Sequence, residues 1–266
     1  MHLIVCRSLS RVIIYGLILI LLSGVGDHSG RYSNVVNYLT AQGYAVYGFD
    51  LRGHGHSSGQ RGHINKWSDY SGDLQSFLDL VCSRESGAKL FLMGHSLGAL
   101  ISLDYVLRYP AGLCGAIING APFEPIGIAK PYKVALARLL SRFMPRFSIP
   151  LDFESVAMSR DSIVVRDYIA DSLGHKIVSV RWGTESLATL KWVKEHSTDL
   201  SIPILILHGG ADRLNSSEGS RHFFDKLTFP DKTLRIYPEG YHESHNDINY
   251  QQVMQDIGQW LDSHIR

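Results

Sequence analysis

Lys89-Leu-Phe-Leu-Met-Gly94-His-Ser96-Leu-Gly98-Ala-Leu-Ile-Ser-Leu-Asp-Tyr-Val-Leu-Arg108 is the stretch on which the reading of this chain turns. Its first five residues form a short apolar run of the kind that makes a strand buried on both faces of a sheet. From Leu97 onward, apolar residues recur at three- and four-residue spacing until Pro110, which predicts a helix. Between the two, Gly94-His-Ser-Leu-Gly98 fits G-x-S-x-G, a sharp strand-to-helix turn that presents a serine hydroxyl above a sheet. Glycines suit its flanks because side chains there would collide where the chain turns, with the serine held in strained geometry. The same pattern recurs at Gly55-His-Ser57-Ser-Gly59, but polar residues surround it and no helix follows at once. Ser57 therefore reads as a loop residue, and Ser96 is the candidate nucleophile.

Outward from that stretch, Tyr44 to Phe49, Gly115 to Ile118, Pro203 to His208 and Thr233 to Tyr237 are further short apolar runs. Helical patterns at Tyr32 to Thr40, Trp67 to Ser83, Ala99 to Arg108, Ser217 to Lys226 and Tyr250 to Ser263 alternate with them. The alternation predicts an α/β fold: a mostly parallel sheet with helices on both faces. Strand signals stop from 123 to 196, where helical patterns take over. That interval is expected to be an inserted helical cap, with 1–122 and 197–266 forming the core.

The apolar run Val12 to Leu22 follows Arg7 and Arg11 and has the length of a secretory signal's apolar region, short for a membrane span. We read it as a buried strand, because the glycine-rich turn Ser23-Gly-Val25-Gly-Asp-His28 needs a strand to support it. Secretion by an N-terminal signal is the less favoured alternative. A net charge of +1 with scattered charges offers no broad footprint for nucleic acid, which is not an expected partner. Cys6, Cys82 and Cys114 have no metal-ligand spacing, and their odd count argues against a closed disulfide framework. A reducing, cytoplasmic setting follows as the expectation.

A serine hydroxyl needs a base to take its proton and a carboxylate to fix that base's tautomer. Pro203-Ile-Leu-Ile-Leu-His208 runs into Gly-Gly-Ala-Asp212, placing a carboxylate in the loop at a strand's C-terminal end. Asp212 is the expected acid; its bland alternative is a cap for the helix near Ser217. After the last strand, Pro238-Glu-Gly-Tyr-His242-Glu-Ser-His245 offers two histidines. His242 follows the turn directly and is preferred as the base. Negative charge developing on the substrate carbonyl oxygen calls for preorganised N–H donors. The backbone N–H of Leu97 is one candidate, and that of Val25, between two glycines that let backbone approach a ligand, is the other.

Gly24-Val-Gly-Asp-His-Ser-Gly-Arg-Tyr32, Asp50-Leu-Arg-Gly-His-Gly55, Gly94-His-Ser-Leu-Gly98, Ser159-Arg-Asp161, His208-Gly-Gly-Ala-Asp212 and Tyr241-His-Glu243 appear in an order that resembles the monoacylglycerol lipase and lysophospholipase branch of the α/β hydrolases. The likeness spans nearly the whole chain. It implies the α/β-hydrolase fold, the triad Ser96, Asp212 and His242, an oxyanion hole at Val25 and Leu97, and no cofactor or metal. Two features depart from the family pattern: Ser23 stands where a histidine is usual, and only about twenty residues precede the first glycine loop, which suggests a shortened sheet edge or an atypical start site.

The expected activity is cleavage of a small acyl ester, a monoacylglycerol or lysophospholipid. A short-chain carboxylesterase would use the same residues, and a binding protein of the same fold would not need them. The cap stretch 125–151 holds Lys130, Lys133, Arg138, Arg142 and Arg146 among leucines and aromatics, with no acidic residue. Such a stretch suits transient contact with a lipid surface; the alternative is a lid helix with a solvated basic face.

Overall fold

The computed structural model describes residues 2–6, 16–127 and 131–265. Its frame is a seven-stranded sheet built from β1 (His2–Cys6), β2 (Leu17–Leu22), β3 (Ala45–Asp50), β4 (Lys89–His95), β5 (Leu113–Asn119), β8 (Ile204–Gly209) and β9 (Lys232–Tyr237). The spatial order is β1-β3-β2-β4-β5-β8-β9, with β1 antiparallel to β3 and the other pairs parallel. The expected parallel sheet is present, and the sheet edge is one strand longer than the sequence reading allowed. Residues 12–15 of the first apolar run and the side chain of Cys6 lie outside the described residues; Cys82 and Cys114 are free thiols.

β2 shows why these runs become central strands. All six residues of Leu-Ile-Leu-Ile-Leu-Leu are buried, and strand periodicity divides them between two cores. Ile18, Ile20 and Leu22 join one core, with α2 (Ser68–Arg84) and α3 (Leu97–Arg108) supplying Phe77, Leu100 and Leu103. Leu17, Leu19 and Leu21 join the other, beneath α1 (Ser33–Ala41) and α8 (Tyr250–His264), which supply Val35, Leu39, Ile257 and Leu261. Helices therefore cover both faces. α7 (Ser217–Lys226) starts at the N-cap Ser216, whose hydroxyl accepts from Glu218 N–H, so that helix is not capped by Asp212.

Between β5 and β8 the chain makes a long excursion through α4 (Pro131–Phe143), β6 (Ser148–Pro150), α5 (Ser162–Ala170), β7 (Ile177–Ser179) and α6 (Val180–Glu195). β6 and β7 pair antiparallel as a two-stranded ribbon absent from the sequence expectation. α6 packs on α4 and on α3, returning the chain to the sheet. No helix among the described residues is long and apolar enough to cross a membrane.

Candidate active site

Ser96 sits between the last residue of β4 and the first of α3 with φ 51° and ψ −111°, the one positive-φ residue other than glycine among the described residues. A conformation of this kind costs about 1–3 kcal/mol and persists only where its surroundings impose it. Here they do. The Ser96 N–H donates to the Asn119 carbonyl at 3.0 Å, and the Ser96 carbonyl accepts from Leu100 N–H at 3.1 Å. The flanking glycines are forced by close packing: a Cβ on Gly94 would strike the Gly98 carbonyl, and one on Gly98 would strike the carbonyl of Leu22 on β2. Ser57 is placed differently. Its hydroxyl is buried in the loop after β3 and donates to the Asp50 carbonyl at 2.6 Å.

Asp212 and His242 meet. Asp212 lies just beyond β8, and its Oδ1 accepts from the N–H groups of Leu214 and Asn215 at 2.7 and 3.1 Å. Its Oδ2 is 2.8 Å from His242 Nδ1, in the loop after β9. A carboxylate only accepts, so the proton is on Nδ1 and the lone pair on Nε2. Burial by itself would lower the pKa of His242, but the charge and hydrogen bond of Asp212 outweigh it and the net shift is upward. Burial likewise pushes Asp212 up, and the attraction of His242 with hydrogen bonds from His208 and His242 reverses this, holding the carboxyl well below its usual range. His208 is the less expected neighbour: wholly buried, with Nε2 3.2 Å from the same Asp212 oxygen and Nδ1 2.7 Å from Ser220 Oγ.

A polar chain joins these loops to the elbow. Gly24 N–H donates to Tyr32 Oη at 3.1 Å, Tyr32 Oη stands 3.2 Å from His95 Nδ1, and His95 Nε2 is 3.2 Å from the His242 carbonyl. Because that carbonyl only accepts, His95 Nε2 carries its proton and Nδ1 accepts from the tyrosine. Burial, with His242 and His245 adding, pushes His95 well below an ordinary imidazole, and burial brings His245 down to about 4. Of the three clustered histidines, His242 is the one whose basicity rises. No hydrogen bond among the described contacts joins Ser96 Oγ to His242; the ring of His95, the residue before Ser96, lies 4.8 Å from the His242 ring between centroids.

The two expected oxyanion donors flank the serine. A methyl group on Gly24 would lie 3.5 Å from Ser96 Cβ, so the Gly24-Val25-Gly26 turn abuts the elbow. Neither Val25 N–H nor Leu97 N–H bonds to an acceptor among the described residues, which leaves both available to a ligand. Arg31 ties this turn to the loop after β9: its Nε is 2.9 Å from Asp27 Oδ1 and its Nη2 is 2.8 Å from Glu243 Oε2. Burial, reinforced by Glu243, raises the Asp27 carboxyl against the pull of Arg31, whereas in Glu243 the attraction of Arg31 overcomes burial and lowers it. Arg31, Tyr32 and His208 lie inside motifs read from the sequence, but the motifs assign them no role: Arg31 and Tyr32 act through Glu243 and His95, distant in the chain, and the contact of His208 with Asp212 appears only in the fold. Among the described residues no group of three or more His, Cys, Asp or Glu could hold a metal ion.

Comparison with known proteins agrees with this architecture. The family profile described as serine aminopeptidase, S33, matches residues 16–249. The monoacylglycerol lipase of Mycolicibacterium smegmatis is 31% identical over 93% of this chain and 89% of its own length. The human monoglyceride lipase is 30% identical over 90% of this chain and 80% of its own. The crystal structure of the Paleococcus ferrophilus monoacylglycerol lipase superposes with a TM-score of 0.89 at 30% identity, covering 99% of this chain and 100% of that one.

Proposed function

The chain belongs to the serine aminopeptidase S33 family, on the monoacylglycerol lipase-like branch of the α/β hydrolases, and is a carboxylic ester hydrolase; from that premise we propose that Ser96, His242 and Asp212 carry out the cleavage, with a monoacylglycerol as substrate. The observation that carries the reading is the strained Ser96 at a strand-to-helix elbow, in one fold with a histidine whose Nδ1 is committed to a buried carboxylate.

In acylation the Ser96 oxygen attacks the ester carbonyl carbon and its proton passes to His242 Nε2. The carbonyl oxygen, now negative, takes hydrogen bonds from the N–H groups of Val25 and Leu97, which stabilise this charge more than the neutral ester. The tetrahedral species collapses, the carbon–oxygen bond to the alcohol breaks, and the alcohol leaves with the proton from His242. Water then attacks the acyl-enzyme, giving its proton to His242; collapse releases the fatty acid and returns the proton to Ser96. Asp212 remains ionised throughout, holding the imidazole tautomer and offsetting the imidazolium charge.

Residues 123–196 act in this proposal as a cap over the core formed by 1–122 and 197–266. Leu136, Leu139 and Phe143 are 54%, 57% and 72% exposed on one face of α4, beside exposed Arg138 and Arg142. An apolar face edged by cations and free of carboxylates suits the surface of an anionic bilayer, where a monoacylglycerol resides. Lys130 and the side chain of Lys133 lie outside the described residues. The free thiols of Cys82 and Cys114 fit a reducing compartment.

A fluorophosphonate probe tests the nucleophile: labelling of the wild type and its loss in Ser96→Ala are expected, and undiminished labelling of the variant would refute the assignment. A series of esters from acetyl to long-chain monoacylglycerol and triacylglycerol tests the substrate. A rate restricted to short esters replaces the lipase reading with a short-chain carboxylesterase.

A further inference from the structure

The turn that carries Val25 is held from two sides, and on the first of them Arg31 grips Asp27 and Glu243 together. The Ser23 hydroxyl is buried without a hydrogen-bond partner among the described residues, whereas Tyr32 Oη accepts from Gly24 N–H and Asp27 Oδ1 accepts from His28 N–H. On the other side stands the segment joining α5 to β7. His175 donates its backbone N–H to the Gly26 carbonyl at 2.9 Å, and its own carbonyl lies so close to Gly26 that a Cβ there would collide with it. Gly26 has φ 71°, so the turn and the seam both require glycine.

Asp171, four residues earlier, makes the second contact. Its Oδ2 is 2.6 Å from His28 Nε2. His28 Nδ1 accepts from Gly30 N–H at 3.1 Å, so Nε2 holds the proton and donates to the carboxylate. Asp171 Oδ1 accepts from Leu173 N–H at 2.9 Å, which fixes the turn leading to His175. His175 Nε2 in turn lies 3.1 Å from the Gly53 carbonyl, anchoring the segment to the loop after β3. The segment thus contacts both ends of Gly26–His28 and is itself anchored to the core.

We propose that Asp171 and His175 are positioning residues that hold the oxyanion loop, so that the cap acts on the reacting carbonyl through Val25 as well as covering the substrate. The proposal rests on the assignment of Ser96 and Val25 made above. Neither residue touches the reacting atoms. An N–H donor contributes in full only when aimed at the developing oxyanion, and displacement of about 1 Å in such a group is costly. Every ester passes through that oxyanion, whatever its acyl chain, whereas a residue that merely covers the acyl chain matters more as the chain lengthens.

The experiment compares Asp171→Ala, Asp171→Asn and His175→Ala on acetyl and long-chain esters, with kcat expressed per site titrated by a fluorophosphonate, so that unfolded protein is not counted. Asp171→Ala is expected to lower kcat about tenfold on both esters, part of the effect of losing an oxyanion donor, with KM changed less than about twofold. Asp171→Asn, whose single amide oxygen can still accept from His28 but then gives up the bond from Leu173 N–H, restores part of the rate. His175→Ala, which frees the segment from Gly53, gives a smaller loss that is again independent of chain length. A loss confined to long-chain esters, a change in KM alone, or equal losses in the alanine and asparagine variants overturns the proposal. Failure of the wild type to label at Ser96 is a separate result that removes the premise and the proposal with it.

Discussion

His242 Nδ1 stands 2.8 Å from Asp212 Oδ2, and the same carboxylate oxygen is 3.2 Å from His208 Nε2, so one buried anion serves two imidazoles. The anion raises the basicity of His242 against the effect of burial. Its orientation is fixed by two backbone N–H groups on the opposite oxygen.

The first prediction concerns pH. In the proposed mechanism attack by Ser96 requires a neutral His242, so kcat/KM is expected to fall as pH falls through the His242 pKa, raised above the ordinary 6.5. Asp212→Asn removes the charge that raises it. The acid limb is expected to move to lower pH and kcat to drop by about 10³–10⁴, as loss of the orienting carboxylate does in serine hydrolysis generally. The pH–rate profile of both proteins on a soluble acetyl ester measures this. An acid limb that stays in place would count against Asp212 as the partner of His242.

Two glycines, one at the elbow and one in α2, give predictions of opposite sign. Gly98→Ala drives a methyl group into the Leu22 carbonyl of β2, where backbone cannot give way; a loss of about 3 kcal/mol is expected. Gly72→Ala, on the exposed side of α2 with nothing within 4 Å of the new methyl group, is expected to stabilise by about 0.5–1 kcal/mol. Urea unfolding of the two variants reads both effects. A tolerated Gly98→Ala would mean that the elbow is looser than this packing.

These contrasts mark what the sequence made legible. The β2 run split cleanly between two cores because alternation and full burial leave a strand little choice, and the glycines around Ser96 announced a close approach through their spacing. β1 escaped detection: His2–Cys6 is a five-residue edge strand with no helical or alternating partner pattern beside it. Tyr32 was expected inside a helix, yet α1 begins one residue later and Tyr32 is buried as the link between Gly24 and His95. Arg31 and Glu243 are 212 positions apart, and no local pattern reports a contact made only when β2 and β9 are brought into one sheet. Residue types at the site were readable one loop at a time; the bonds among the loops were not.

Acid stability should depend on His54. It is wholly buried against His175, and burial, with repulsion from His175, lowers it to about 3. Between pH 3 and 6.5 the unfolded chain binds a proton here that the folded chain does not, so this group makes stability fall as pH falls, by about 1.4 kcal/mol per unit. His54→Asn can retain the Nδ1 hydrogen bond to the Arg52 carbonyl without titrating. Its lost ring contact lowers stability at every pH, but the slope of unfolding free energy against pH between 4 and 6.5 should flatten by about 1.4 kcal/mol per unit. An unchanged slope would mean that His54 is protonated in the folded protein across that range.

The last prediction separates the outer face of α4 from the chemistry of the proposed site. Leu136, Leu139 and Phe143 each expose more than half their surface; inserting these surfaces into a bilayer is worth about 1 kcal/mol or more apiece, about 3–4 kcal/mol together, or about 10²–10³ in partitioning. Arg138, Arg142 and Arg146, all exposed, add attraction to anionic headgroups of about 1 kcal/mol each that salt weakens. Replacing the three apolar residues with serine should abolish sedimentation with phosphatidylglycerol vesicles and slow hydrolysis of vesicle-borne monoacylglycerol. None of the three belongs to the elbow, the base loop or the oxyanion turn, so hydrolysis of a dissolved acetyl ester should stay within about twofold, the range expected for surface changes. Added salt should weaken vesicle binding of the wild type while sparing the dissolved substrate. Equal loss on both substrates would place α4 in the support of the site itself, and unchanged vesicle binding would leave its apolar face without a lipid role.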